Sequence, residues 1–110
     1  MEMFLDTSDS VCILRLDDKE YKWEAGKKLA EELLLFIKDK LEEQGGDWNS
    51  IKKITFMSGP GSFTGLRIGA AVVNTLADQL QIPLFDHHGK QVPVIIPTYG
   101  KPANVTAPKK

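Results

Sequence analysis

The chain has 110 residues, a formal net charge of −1 at pH 7, 42% apolar and 26% charged residues; this allows one modest core and excludes a chain too polar to fold. The near-neutral charge gives no general attraction to nucleic acid or to an anionic membrane. A single cysteine, Cys12, excludes an internal disulfide, and no run of 18 apolar residues offers a membrane span.

Met1-Glu-Met-Phe-Leu-Asp6 carries no basic stretch before an apolar one, so no signal peptide is expected and the cytoplasm is the expected location. The charge is uneven: residues 1–86 hold ten basic against fifteen acidic side chains, a balance of −5, while residues 87–110 hold four lysines and no acid. Met3–Leu5 and Val11–Leu16 are apolar runs separated by the turn cluster Asp6-Thr7-Ser8-Asp9-Ser10, and Asp17-Asp18 turns the chain into the alternating segment Glu20–Trp23. These three segments read as an antiparallel meander. Cys12, inside the second run, reads as a buried thiol.

From about Ala25 to Gln44 the period is helical, with Phe36, Leu29, Leu33, Ile37, Ala30, Leu41 and Leu34 within an arc of about 160°. Gly45-Gly46 supply the stop. Lys27 and Lys28 near the start and Glu42 and Glu43 near the end oppose the helix dipole, so packing must hold this helix. Ile51–Met57 reads as a fourth strand, Phe63–Leu80 as a second helix, and Ile82–Phe85 as a fifth strand. In the second helix Gly65, Gly69, Val73 and Ala77 recur every four residues and make a smooth face for close approach. Residues 1–86 therefore read as the folded domain, and 87–110, with four of the six prolines, as an extended or partly disordered tail with one short edge strand near Val92–Ile96. The order βββαβαβ predicts an α/β fold: a mixed five-stranded sheet with two main helices, the ribonuclease-H-like half-domain of actin-like ATPases.

Chemistry concentrates in Ser58-Gly-Pro-Gly-Ser-Phe-Thr-Gly-Leu-Arg-Ile-Gly69. Its glycines free the backbone and the loop feeds a helix N-terminus, where unpaired N–H groups, Ser62, Thr64 and Arg67 suit an anion. No Gly-Lys-Ser/Thr follows, so it is not a Walker loop, and its spacing is not that of the dinucleotide fingerprint. Two readings stand: a phosphate cradle, or a capped helix whose glycines serve packing. The phosphate or nucleotide candidates are Asp6, Thr7, Gly59, Gly61, Ser62, Thr64 and Arg67. Asp6-Thr7-Ser8 also fits a turn closing the strand link, and for Asp6 that role is preferred. His87-His88 reads as a solvated turn before Gly89; neighbouring histidines on an extended chain point apart and chelate poorly, and no metal site is predicted. Lys90, Lys101, Lys109 and Lys110 read as solubilising.

Gly59-Pro-Gly-Ser-Phe-Thr-Gly-Leu-Arg-Ile-Gly69, together with Phe4-Leu5-Asp6-Thr7-Ser8, resembles the signature of the TsaB (YeaZ) family, and the resemblance covers roughly residues 3–86. It implies a glycoprotease-like member of the actin-like ATPase superfamily without protease activity, equivalent to the N-terminal domain of TsaB. It further implies a non-catalytic scaffold or activator that partners TsaD, and indirectly TsaE, in forming threonylcarbamoyladenosine beside the tRNA anticodon. tRNA is then met only through the complex, ATP or ADP is a ligand of the complex, and no cofactor is assigned to this chain. The sequence departs from the family where Leu29-Ala30 replace a histidine and a hydroxyl residue at the first helix, and only 24 residues follow position 86. Docking through the helices is implied, and the expected patch comprises Ala30, Leu34, Leu41, Gly65, Gly69, Val73 and Ala77, pairing two copies when TsaD is absent. The alternative is a small nucleotide- or phosphate-binding enzyme half-site, a weak ATPase acting as a homodimer; a plain interaction domain is the third reading.

Overall fold

The computed structural model describes residues 1–99. The chain runs β1 (Glu2–Asp6), β2 (Val11–Leu16), β3 (Lys19–Glu24), a 3-10 turn (Gly26–Lys28), α1 (Leu29–Glu43), a second 3-10 turn (Trp48–Ser50), β4 (Lys53–Phe56), α2 (Phe63–Leu80), β5 (Leu84–Asp86) and β6 (Gln91–Val92). The sheet has six strands in the order β3-β2-β1-β4-β5-β6. The meander is antiparallel, Leu5 facing Leu14 and Leu14 facing Tyr21. β1, β4 and β5 are parallel, with Met3 opposite Ile54 and Ile54 opposite Leu84. The mixed sheet with two main helices is as the order of elements predicts, but the strand count of five is corrected to six. β6 pairs antiparallel with β5, Leu84 facing Val92, so the sheet continues past position 86. Residues 100–110 of the expected tail, with Lys101, Lys109 and Lys110, lie outside the described residues.

Strand alternation divides the sheet into two unlike faces. Met3, Leu5, Cys12, Leu14, Leu16, Ile54, Phe56 and Leu84 are buried, and share one core with Leu29, Leu33, Ile37 and Leu41 of α1 and Leu66, Ala70, Val73 and Ala77 of α2. α1 reaches β3 through Trp23 and Phe36, whose rings are 4.9 Å apart. The opposite face carries Phe4, Ile13, Arg15, Thr55 and Phe85, and none of these is fully buried.

Local chemistry sets the helix ends. Gly45 has φ +74°, and the Gly45 and Gly46 N–H groups close α1 on the Glu42 and Leu41 carbonyls. The expected charge conflict in α1 is smaller than the sequence suggests. Its first α-helical residue is Leu29, which places Glu31 and Glu32 in the first turn and Lys40 in the last, where the dipole favours them. Ser62 caps α2, its hydroxyl oxygen accepting the Gly65 N–H at 3.1 Å. α2 runs unbroken through Gly65 and Gly69.

Candidate functional site

The glycine-rich loop leaves β4 at the carboxyl ends of the parallel strands and is packed tightly by its own chain. Thr7, wholly buried, donates its hydroxyl to the Gly65 carbonyl at 2.7 Å. The Ser62 N–H donates to the Ser8 carbonyl at 2.8 Å. One Asp6 carboxylate oxygen accepts both the Ser8 N–H at 2.8 Å and the Ser8 hydroxyl at 2.6 Å, the turn preferred for this residue. Each glycine facing this junction lacks room for a Cβ: at Gly61 it would meet Ser8, at Gly65 the Thr7 carbonyl, and at Gly69 both Thr7 and the Phe56 ring. Glycine spacing thus welds the loop and α2 to the end of β1.

That geometry decides how the seven phosphate candidates are disposed. Asp6, Thr7 and Ser62 spend side-chain hydrogen bonds on the chain itself; Gly59 is buried against Thr98, and Gly61, though exposed, abuts Ser8. Ser62, Thr64 and Arg67 present exposed side chains, and the Arg67 guanidinium lies 5.3 Å over the Phe63 ring. The seven do not converge on one anion cradle. A cleft of about 380 Å³ does lie beside them, lined by Asp9, Lys27, Ser62, Thr64 and Ile68.

The helical patch also needs correction. Leu41, Gly65, Gly69, Val73 and Ala77 are buried in the chain's own core, because the four-residue stripe of small side chains meets the sheet. Ala30 and Leu34 do face outward, and Leu35, absent from the expected patch, joins them: Leu34 is 51% and Leu35 57% exposed. Thr64, Arg67, Ile68 and Ala71 line a shallow depression of about 320 Å³ on α2.

Three polar groups have roles that local sequence could not disclose. Asn74 makes two hydrogen bonds to the backbone of Ile95, accepting its N–H at 2.7 Å and donating to its carbonyl at 3.2 Å. His87 and Ser58, 29 positions apart, meet with the Ser58 N–H 3.2 Å and the hydroxyl 3.1 Å from His87 Nδ1. The turn expected at 87–89 is present, since Asp86 accepts the N–H groups of His88 and Lys90. The Lys90 N–H, and after it the His88 N–H, hold the Asp86 carboxyl below the usual range. Burial, and then the Asp6 charge, push the Cys12 thiol up to about 12, which keeps it protonated at neutral pH. Among the described residues no group of three His, Cys, Asp or Glu side chains suits a metal ion, and no helix is long and apolar enough to cross a membrane.

A family model described as "TsaD: tRNA N6-adenosine threonylcarbamoyltransferase" matches residues 23–92, well over half of the chain. The chain belongs to this family, on its TsaB/YeaZ branch. The branch is set by the similar proteins. The tRNA threonylcarbamoyladenosine biosynthesis protein TsaB of Haemophilus influenzae is 32% identical over 84 residues, which are 73% of this chain and 36% of that protein. TsaB of Buchnera aphidicola from Baizongia pistaciae is 35% identical over 82 residues, 71% of this chain and 37% of the relative. The solved structure of YeaZ from Pseudomonas aeruginosa superposes with a TM-score of 0.69 at 34% identity, covering 77% of this chain and 42% of that one. The chain thus spans under two-fifths of the length of these curated TsaB relatives.

Proposed function

We propose that this chain is a non-catalytic scaffold or activator of a TsaD-like transferase in threonylcarbamoyladenosine formation on tRNA. It docks through the outward faces of α1 and α2. The observation that carries the proposal is the half-exposed pair Leu34 and Leu35, with Ala30 beside them, on a helix whose other side is wholly buried. Burying a leucine is worth about 1.5–3 kcal/mol, a gain the monomer leaves unused at both positions. Ile68 and Ala71 on α2 extend the docking face. The TsaB names of the relatives supply the process, and the TsaD family description supplies the class of partner. A TsaE-like ATPase and tRNA are met through the complex, where ATP or ADP is held, and two copies pair by the same face when the partner is absent.

The test is capture of the same organism's TsaD by the wild type and by the Leu34→Glu, Leu35→Glu double variant. Loss of more than about tenfold in affinity, or about 1.4 kcal/mol, with unchanged circular dichroism, is expected. Full capture by the folded variant places docking elsewhere. The isolated chain should hydrolyse neither peptides nor ATP appreciably; ATP turnover abolished by Asp6→Asn would favour an enzyme half-site instead.

A further inference from the structure

Ser58, only 6% exposed, is held from two sides. Its N–H and hydroxyl both face His87 Nδ1, and its carbonyl accepts the Thr98 N–H at 2.7 Å. Thr98 belongs to the strap 93–99, which returns from β6 across α2 to the loop. Ile95 of the strap is buried and bound by Asn74, and Tyr99 packs on Phe63 at 4.6 Å. At Gly59, with φ +118°, the Thr98 carbonyl occupies the space a Cβ would need. One serine thus joins the glycine-rich loop, the β5–β6 turn and the strap.

We infer that His87 is a proton-released clasp: its neutral imidazole holds Ser58, and acidification loosens the loop and the strap together. A backbone N–H pointing at Nδ1 requires a lone pair there, so the ring proton sits on Nε2. Imidazoles change charge between roughly pH 5 and 8. Once protonated, Nδ1 carries its own hydrogen and meets the Ser58 N–H donor to donor. The serine hydroxyl can turn to accept from it, but the backbone N–H keeps no acceptor. The contact therefore belongs to the neutral ring and is lost when the ring takes up a proton.

The charged neighbours do not remove this conflict. Asp86, at the end of β5, attracts an imidazolium, but its bonded oxygen is engaged by the His88 and Lys90 N–H groups. His88, its ring 4.0 Å from that of His87, repels one when itself charged. From the β4 loop, β6 and the strap, the residues lining the surrounding pocket are Ser58, Gly59, Pro60, Val92, Val94, Ile95, Ile96 and Thr98, none of them ionisable.

The test is amide hydrogen exchange of the full chain from pH 8 to pH 5, corrected for intrinsic rates, in wild type, His87→Asn and His88→Asn. Asparagine offers a non-titrating acceptor near the Nδ1 position. Protection at Ser58 and Thr98 is expected to fall at least tenfold on acidification in wild type and His88→Asn, and to stay level in His87→Asn. A level wild type, or a parallel fall in His87→Asn, overturns the clasp. Should His87→Asn not fold, imidazole nitrogen spectra of the wild type decide it. The Nε2–H tautomer at pH 8 and a Ser58 amide shift that follows His87 titration support the clasp; any other tautomer, or an indifferent Ser58 amide, overturns it.

Discussion

Gly69 sits in the interior of α2, where alanine normally gains about 1 kcal/mol over glycine. Here the added methyl would lie 2.6 Å from the Phe56 ring and against the Thr7 hydroxyl, which is already committed to the Gly65 carbonyl. Neither neighbour has space to retreat, because Phe56 is wholly buried under the sheet core. Overpacking of this kind costs about 1–3 kcal/mol. Gly69→Ala should therefore destabilise by that amount in urea denaturation, despite its helix propensity. A neutral or stabilising result would show that α2 can shift off β1, and that the glycines are not there for close approach.

At the scale of elements, the strap 93–99 is held by α2 and the glycine-rich loop rather than by a strand ladder. Asn74 imitates a neighbouring backbone, offering Ile95 both an acceptor and a donor from a helix. This fixes the strap where β6 has ended and no ladder remains. Asn74→Ala leaves a buried peptide unpaired, at about 1–3 kcal/mol, unless the strap lifts into water. Either way the Ile95 amide should exchange more than tenfold faster than in wild type at one pH. Unchanged Ile95 protection would mean that Tyr99 and Thr98 alone hold the segment. α1 depends on a different balance. Its ion pairs Lys38–Glu42 and Lys40–Glu43 are solvent-facing and contribute little, so the four core residues Leu29, Leu33, Ile37 and Leu41 must hold it.

Across the whole molecule, both described helices contribute to the core on one face of the sheet, and the other face is screened by its own cations. The Arg15 guanidinium lies 4.6 Å over the Phe4 ring, and Lys53 Nζ lies 4.5 Å over that of Phe85. Exposed contacts of this type are worth about 0.5–1 kcal/mol each, and their stems cover apolar surface. The Arg15→Ala, Lys53→Ala double variant should lose about 1–2 kcal/mol in stability and bind more of a hydrophobic dye while remaining folded. Dye binding equal to wild type would show that the rings are shielded by other means.

Element order, the antiparallel meander, the two helices and the family were all legible in the residues, since alternation, helical period and an unbroken signature are local properties of a chain. Asp6 likewise declared its turn, because its partner Ser8 is two positions away. What faces what was not local. A stripe of small residues on α2 suits a partner helix and a sheet equally well, and only the docking of α2 on β1 and β4 turned Gly65, Gly69, Val73 and Ala77 inward. α1 has an apolar arc wider than the sheet, but periodicity cannot say which rim stays outside; packing left Ala30 and Leu34 there, while Leu35 lies outside the arc altogether. β6 was faint because two residues carry almost no period, and its pairing with β5 gives it its identity. Ser58 and His87 lie on different turns, and Asn74 and Ile95 on a helix and a strap. Their hydrogen bonds exist only because the β4–α2–β5 crossover brings those ends together, a consequence of topology that no window of sequence contains.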